Sequence, residues 1–219
     1  MRNLSLVLSA VLSVGVAQAA YAGKLDEIFT RDMIGADIAY LQQFTGVPRT
    51  TLDGLFREYK VGQCTVTVYG EKTVTSLELE VSPKCTFDLG KMIDGAPNKE
   101  WAHQLTMGWA EGAHFSSDCI YMCGNAVDPS VYATLEGPRA NGFLQIQLQV
   151  VLDEDKASDA ADQWREHMVA KEGEDYVMET LFNKSNKYDD IAVRLFRDVP
   201  VRKIRIGYDI PEPGEPETY

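Results

Sequence analysis

Catalytic signatures are what this sequence most clearly lacks. Its 219 residues include only three histidines, His103, His114 and His167. No G-x-S-x-G, H-E-x-x-H, S-x-x-K or P-loop pattern occurs, which leaves the common nucleophile, zinc and phosphate chemistries without their usual framework. There is no C-x-x-C, so a thioredoxin-type redox role has no support. Positive charge is also scarce: 21 basic residues face 33 acidic ones. Nucleic acid and anionic lipid surfaces, which need a basic footprint, are therefore excluded as expected partners. Beyond the first 23 residues no apolar run could span a bilayer, and no internal repeat is visible.

What is present starts at the N-terminus. Met1-Arg2-Asn3 precedes an uncharged apolar run, Leu4 to Ala17, and small residues follow at Ala17-Gln18-Ala19 and Ala20-Tyr21-Ala22. This is the pattern of a secretory signal peptide over residues 1–22, with an A-x-A-type cleavage site. An uncleaved anchor is the competing reading, but Ser5, Ser9, Ser13, Gly15 and Gln18 dilute the run. No cysteine follows it, so lipid attachment at an N-terminal cysteine has no substrate. The expected product is an exported, periplasmic protein with no stable membrane insertion after cleavage. Loss of Arg2 with the signal leaves 20 basic residues against 33 acidic ones, a net charge of −13.

The compartment sets the meaning of the four cysteines, Cys64, Cys85, Cys119 and Cys123. In an oxidising environment an even number favours disulfides. Of the three possible connectivities, the sequential one is preferred because short loops close most readily.

Periodicity then divides the chain. Apolar residues near helical spacing predict a helix over 24–45, with Gly35 a possible break and Gly46 and Pro48 ending it. Residues 62–81 alternate as a hairpin, and Gly70-Glu71 fits a two-residue turn. That register places Cys64 opposite Leu77 and leaves Cys85 too far away for easy bridging to Cys64. Strands are predicted over 131–136, 143–152 and 202–210. In the second, Gln145, Gln147 and Gln149 make an uncharged polar face. That face suits a glycan or protein, although simple solvation also accounts for it. Asp153-Glu154-Asp155 opens a helix with the apolar stripe Ala157, Ala160, Ala161, Trp164 and Met168, and a shorter helix covers Tyr188 to Phe196. Trp101, Trp109 and Trp164 read as core anchors. The expected fold is α+β: one domain over 23–210, with an antiparallel sheet of about five or six strands under N- and C-terminal helices and two disulfides. The Pro- and Glu-rich segment 211–219 reads as a disordered tail.

The most unusual segment runs from Asp118 to Pro129. A bridge between Cys119 and Cys123 would make a small rigid loop presenting Tyr121 and Met122, flanked by Asp118 and Asn125, and rigidity lowers the ordering cost of binding. A plain stapled connection between strands is the simpler account. A stapled loop of this kind on a small acidic exported chain is similar to bacterial periplasmic lysozyme inhibitors, which occlude a basic enzyme. The likeness covers Cys119 to Asn125, and Ile120-Tyr121-Met122 lacks the histidine and acid such loops can carry. A metal site using His114, Cys119 and Cys123, with His103 or Asp118, is a further alternative, but its spacing matches no firm zinc pattern. The leading expectation is thus a non-enzymatic binding protein of the bacterial envelope, without a cofactor, whose partner is an envelope protein or cell-wall component. The rival is an envelope hydrolase using His103, His114 and Asp118.

Overall fold

The computed structural model describes residues 24–52, 54–93, 96, 99–124, 128–136, 144–211 and 213. The signal segment 1–22 and nearly all of the predicted tail lie outside them. Among the described residues no helix is long and apolar enough to cross a membrane. The strands are β1 (Thr50–Leu52), β2 (Phe56–Val61), β3 (Cys64–Tyr69), β4 (Ser76–Glu80), β5 (His114–Ser117), β6 (Ser130–Glu136), β7 (Gln145–Val151) and β8 (Lys203–Gly207). They form one antiparallel sheet in the spatial order β1-β2-β3-β4-β8-β7-β6-β5. The chain is α+β as expected, but the sheet has eight strands rather than five or six. The sequence reading missed β1, β2 and β5. Two of these are short edge strands, and β2 mixes Arg57, Glu58 and Lys60 into an otherwise alternating run.

The predicted hairpin exists in a different register. Val68 pairs with Leu77 and Val66 with Leu79, a shift of four residues from the expected pairing. The shift is even, so every side chain keeps its predicted face. Residues 70–75 cannot form the tight turn because they are engaged elsewhere. Val74 exchanges hydrogen bonds with the 35–36 segment, through Gly35 N donating to Val74 O and Val74 N to Ala36 O. The two-residue turn is instead Gly62-Gln63, between β2 and β3, with Gly62 at φ 64°. The corrected register also removes the obstacle to the first disulfide. Cys64 now lies opposite the end of β4, and a Ser82–Cys85 turn brings Cys85 back beside it. The Cys64–Cys85 and Cys119–Cys123 bridges both form, with Cα separations of 5.5 and 5.6 Å.

The apolar sheet face joins the helices in a single core. The predicted N-terminal helix is interrupted: residues 24–28 are helical, Arg31–Met33 is a 3-10 turn, and α1 spans Ile38–Thr45. The helix has already ended before Thr30, where the backbone is extended, and Gly35, at φ 89°, adds a second turn ahead of α1. On the other side, α2 (Asp155–Glu172) is continuous, and its predicted stripe is buried in full. After α3 (Glu174–Met178) comes α4 (Asp189–Leu195). Trp164 is enclosed by Phe115, Phe182 and Phe196, and its Nε1 donates to Tyr188 O. Trp101 and Trp109 are only half-buried, so Trp164 alone is a fully enclosed anchor.

The two bridges should differ in energetic weight. Loop-closure entropy gives about 3 kcal/mol for the Cys64–Cys85 loop and about 2 kcal/mol for the smaller one. Equilibrium urea unfolding should therefore show C64A/C85A losing more stability than C119A/C123A. Equal losses would mean that closure entropy does not govern them.

Candidate binding face of the sheet

The helices cover one face of the sheet and leave the other open. Cross-strand register arranges that open face in rows. One row runs Glu58, Thr67, Glu78, Arg205, Gln147 and Thr134, across β2, β3, β4, β8, β7 and β6. The next contains Glu80, Lys203, Gln149 and Tyr132. Apart from Thr134, these residues line a shallow trough of about 440 Å³ together with Phe56, Thr65, Tyr69, Pro211 and Pro213.

Arg205 is the centre of this trough. Although it stands on the polar face, only 6% of it is exposed. Its guanidinium carbon lies 3.5 Å from the centroid of the Tyr69 ring, and its Nε donates to Ser76 Oγ at 2.9 Å. A desolvated cation over an aromatic face gains about 2 kcal/mol. The Tyr69 hydroxyl donates to Glu78 Oε2 at 3.2 Å, and Lys203 Nζ stands 4.0 Å from the other Glu78 oxygen. Tyr69 is further buttressed edge-on by Phe56. The trough therefore has an ordered charged floor, surrounded by amides and hydroxyls.

The predicted loop residues divide into different roles. Met122 is 75% exposed and sits at φ 55°, held out by the Cys119–Cys123 bridge. Tyr121 does not project: it is half-buried, with the Arg165 guanidinium 5.1 Å from its ring centroid. Asp118 points inward. One of its oxygens accepts from Cys119 N and Ser130 N, and the other accepts from the Tyr132 hydroxyl at 3.2 Å. Burial pushes its carboxyl above the ordinary value, against the pull of these donors, and burial likewise raises the Tyr132 phenol. Asn125 lies outside the described residues. Because Tyr132 lines the trough, the Asp118–Tyr132 bond ties the base of the loop to the trough wall.

The histidines and Asp118 belong to separate hydrogen-bond sets. His103 Nδ1 meets Thr86 Oγ1 at 2.9 Å, and burial lowers its basicity. His114 Nδ1 faces Asp189 Oδ2 at 3.1 Å, while Nε2 faces Asn183 O at 2.7 Å. With its second nitrogen against a carbonyl, this Asp–His pair does not present the base that proton abstraction needs. The same two partners close the β5 edge: Asp189 accepts from Phe115 N, and Asn183 from Ser117 N. They cap an edge that could otherwise pair with another chain. The alternative metal set also fails to assemble, since Cys119 and Cys123 have each other as partners.

Sequence reasoning identified the polar faces of 62–81, 143–152 and 202–210 one by one. It did not place Arg205, Lys203, Glu58, Glu78 and Tyr69 in one site. The available signal was the outward parity of Lys203 and Arg205, but parity does not name a neighbouring strand. No family model, curated protein or solved structure matches this chain.

The raised Asp118 carboxyl has a definite pH signature. The folded state holds this proton more tightly than the unfolded chain, so its contribution to stability falls as pH rises from the ordinary carboxylate value through the raised one. Asp118→Asn removes this component while retaining an acceptor for Cys119 N and Ser130 N. Urea midpoints from about pH 4 to about pH 7 should show wild type losing stability relative to the asparagine variant. A constant difference between them would show that Asp118 does not titrate in that window.

Proposed function

We propose that this chain is a non-enzymatic binding protein exported to the bacterial envelope, and that its ligand-contacting surface is the open sheet face around Arg205. The observation that carries this reading is the buried guanidinium at the floor of a polar trough, fixed by Tyr69 and Ser76. Gln147, Gln149, Thr65, Thr67 and Tyr132 add amides and hydroxyls around it. These groups suit a partner with polar backbone or hydroxyl chemistry better than an apolar molecule. Two disulfides and the predicted leader support the exported setting. The partner is an envelope protein or cell-wall component.

A second reading uses the Cys119–Cys123 loop to inhibit a basic cell-wall enzyme. It is favoured by the exposed Met122 on a preorganised loop and by the acidic net charge. The two surfaces adjoin through Asp118 and Tyr132, so variants must separate them.

Thr65 is an exposed trough residue, and Thr65→Trp would fill the depression without touching the core. Capture from an envelope extract should recover a stoichiometric partner on wild type. Binding should fall by about tenfold or more with T65W, a loss of ~1.4 kcal/mol, and be unchanged with M122A. The opposite pattern would move the binding surface to the loop.

A further inference from the structure

We infer that the Cys119–Cys123 bridge is a thiol–disulfide exchange site, opened by an external dithiol while the Cys64–Cys85 bridge and the fold stay intact. The chain has no C-x-x-C, so it is the substrate of this exchange and not the oxidoreductase. The two bridges stand in different surroundings. Cys64 is 2% exposed on the paired strand β3, inside the core, and Cys85 packs against that core. Cys119 and Cys123 are half-buried on the connection between β5 and β6, outside the core cluster. Met122 and Gly124, on either side of Cys123, are both exposed. Exchange requires a thiolate to reach a sulfur, and accessible bridges are the labile ones. The closed ring also holds Met122 at φ 55°, a left-handed conformation that is unfavourable for a residue with a Cβ. Opening the ring lets that residue relax, which favours the reduced form.

The base of the loop does not depend on sulfur. Asp118 Oδ1 accepts from Cys119 N at 2.7 Å and from Ser130 N at 2.8 Å, joining the two ends of the connection. Ser117 pairs with Val131 beside it, and Ile120 and Tyr121 pack against the core. Release is therefore confined to the outer side of the ring, around Met122 and Cys123. In the first step a thiolate of the dithiol attacks Cys123 Sγ, on that outer side. The S–S bond breaks, and its electron pair passes to Cys119 Sγ, which takes a proton. Cys119 Sγ lies 3.3 Å from Tyr121 O, an acceptor in place for the new thiol. The second thiolate of the dithiol then attacks the mixed disulfide. Cys123 departs and takes a proton, and the reductant leaves as a disulfide. Two electrons and two protons have passed to the bridge. Because the base keeps the two cysteines close, exchange with an oxidised partner closes the ring again. The redox state of the bridge thus sets how Met122 is displayed.

Dithiothreitol serves as the probe dithiol. The folded mature chain is treated at about pH 8, where thiols are partly ionised, then quenched with iodoacetamide and mapped by mass spectrometry. Label should enter Cys119 and Cys123 at least about tenfold faster than Cys64 and Cys85. Equal rates, or no label at Cys119 and Cys123 until the chain unfolds, would overturn the inference. After alkylation and desalting, chymotrypsin should cut after Tyr121 or Met122 about tenfold faster than in the untreated chain. The C119S/C123S variant should be cut at the faster rate without treatment. A cleavage rate that neither alkylation nor the variant changes would overturn the release of the ring.

Discussion

Ser76 and Arg205 are 129 residues apart in the chain and share a hydrogen bond across the seam between β4 and β8. That seam joins the meander β1–β4 to the strands β5–β8, and its spacing depends on a missing side chain. A Cβ on Gly207 would lie 2.2 Å from Thr75 O and 2.3 Å from Ser76 Cβ. The pairing also aligns Leu77 with Ile206 on the core face and Glu78 with Arg205 on the open one. One contact region therefore completes the hydrophobic sheet face and assembles the charged trough. Without it, Tyr69 and Glu78 would belong to one half of the molecule and Arg205 and Lys203 to the other.

The legible parts of the fold were those governed by local periodicity. The α2 stripe, the alternating glutamines and both faces of the hairpin could be read because side-chain direction repeats within a few residues. The hairpin register was not local. Gly70-Glu71 and Gly62-Gln63 both offer a glycine, and the choice between them depends on Val74 pairing with residues 35–36. Even so, parity survived the error because the displacement was four residues. The disulfide preference came from loop closure, yet its geometry was realised only by the displaced register.

The site shows the same boundary between local and distant information. Cys119 and Cys123 draw attention because their spacing is visible in a short window. Arg205 is unremarkable in the sequence, an outward residue in an alternating strand. Its environment comes from Tyr69 and Ser76, which lie on segments far upstream. The structure also gives Asp118 a different physical role. Its inward carboxylate braces Ser130 and Tyr132, leaving Met122 as the loop's prominently exposed side chain. The conspicuous loop and the distributed trough thus meet at one wall, built by β6.

Arg205 distinguishes this open face from ordinary solvated polarity. Burying a guanidinium costs several kcal/mol in lost hydration, which the Tyr69 ring face and the Ser76 acceptor help to offset. A polar surface needed merely for solubility would keep its cations extended in water. Here the long side chain is folded down onto an aromatic ring, in a protein with a strong excess of acid. The ring and Ser76 fix its position, so ordering this group would add little entropic cost when a ligand docks. Such preorganisation is the physical argument for proposing the sheet face, rather than the loop alone, as the binding surface.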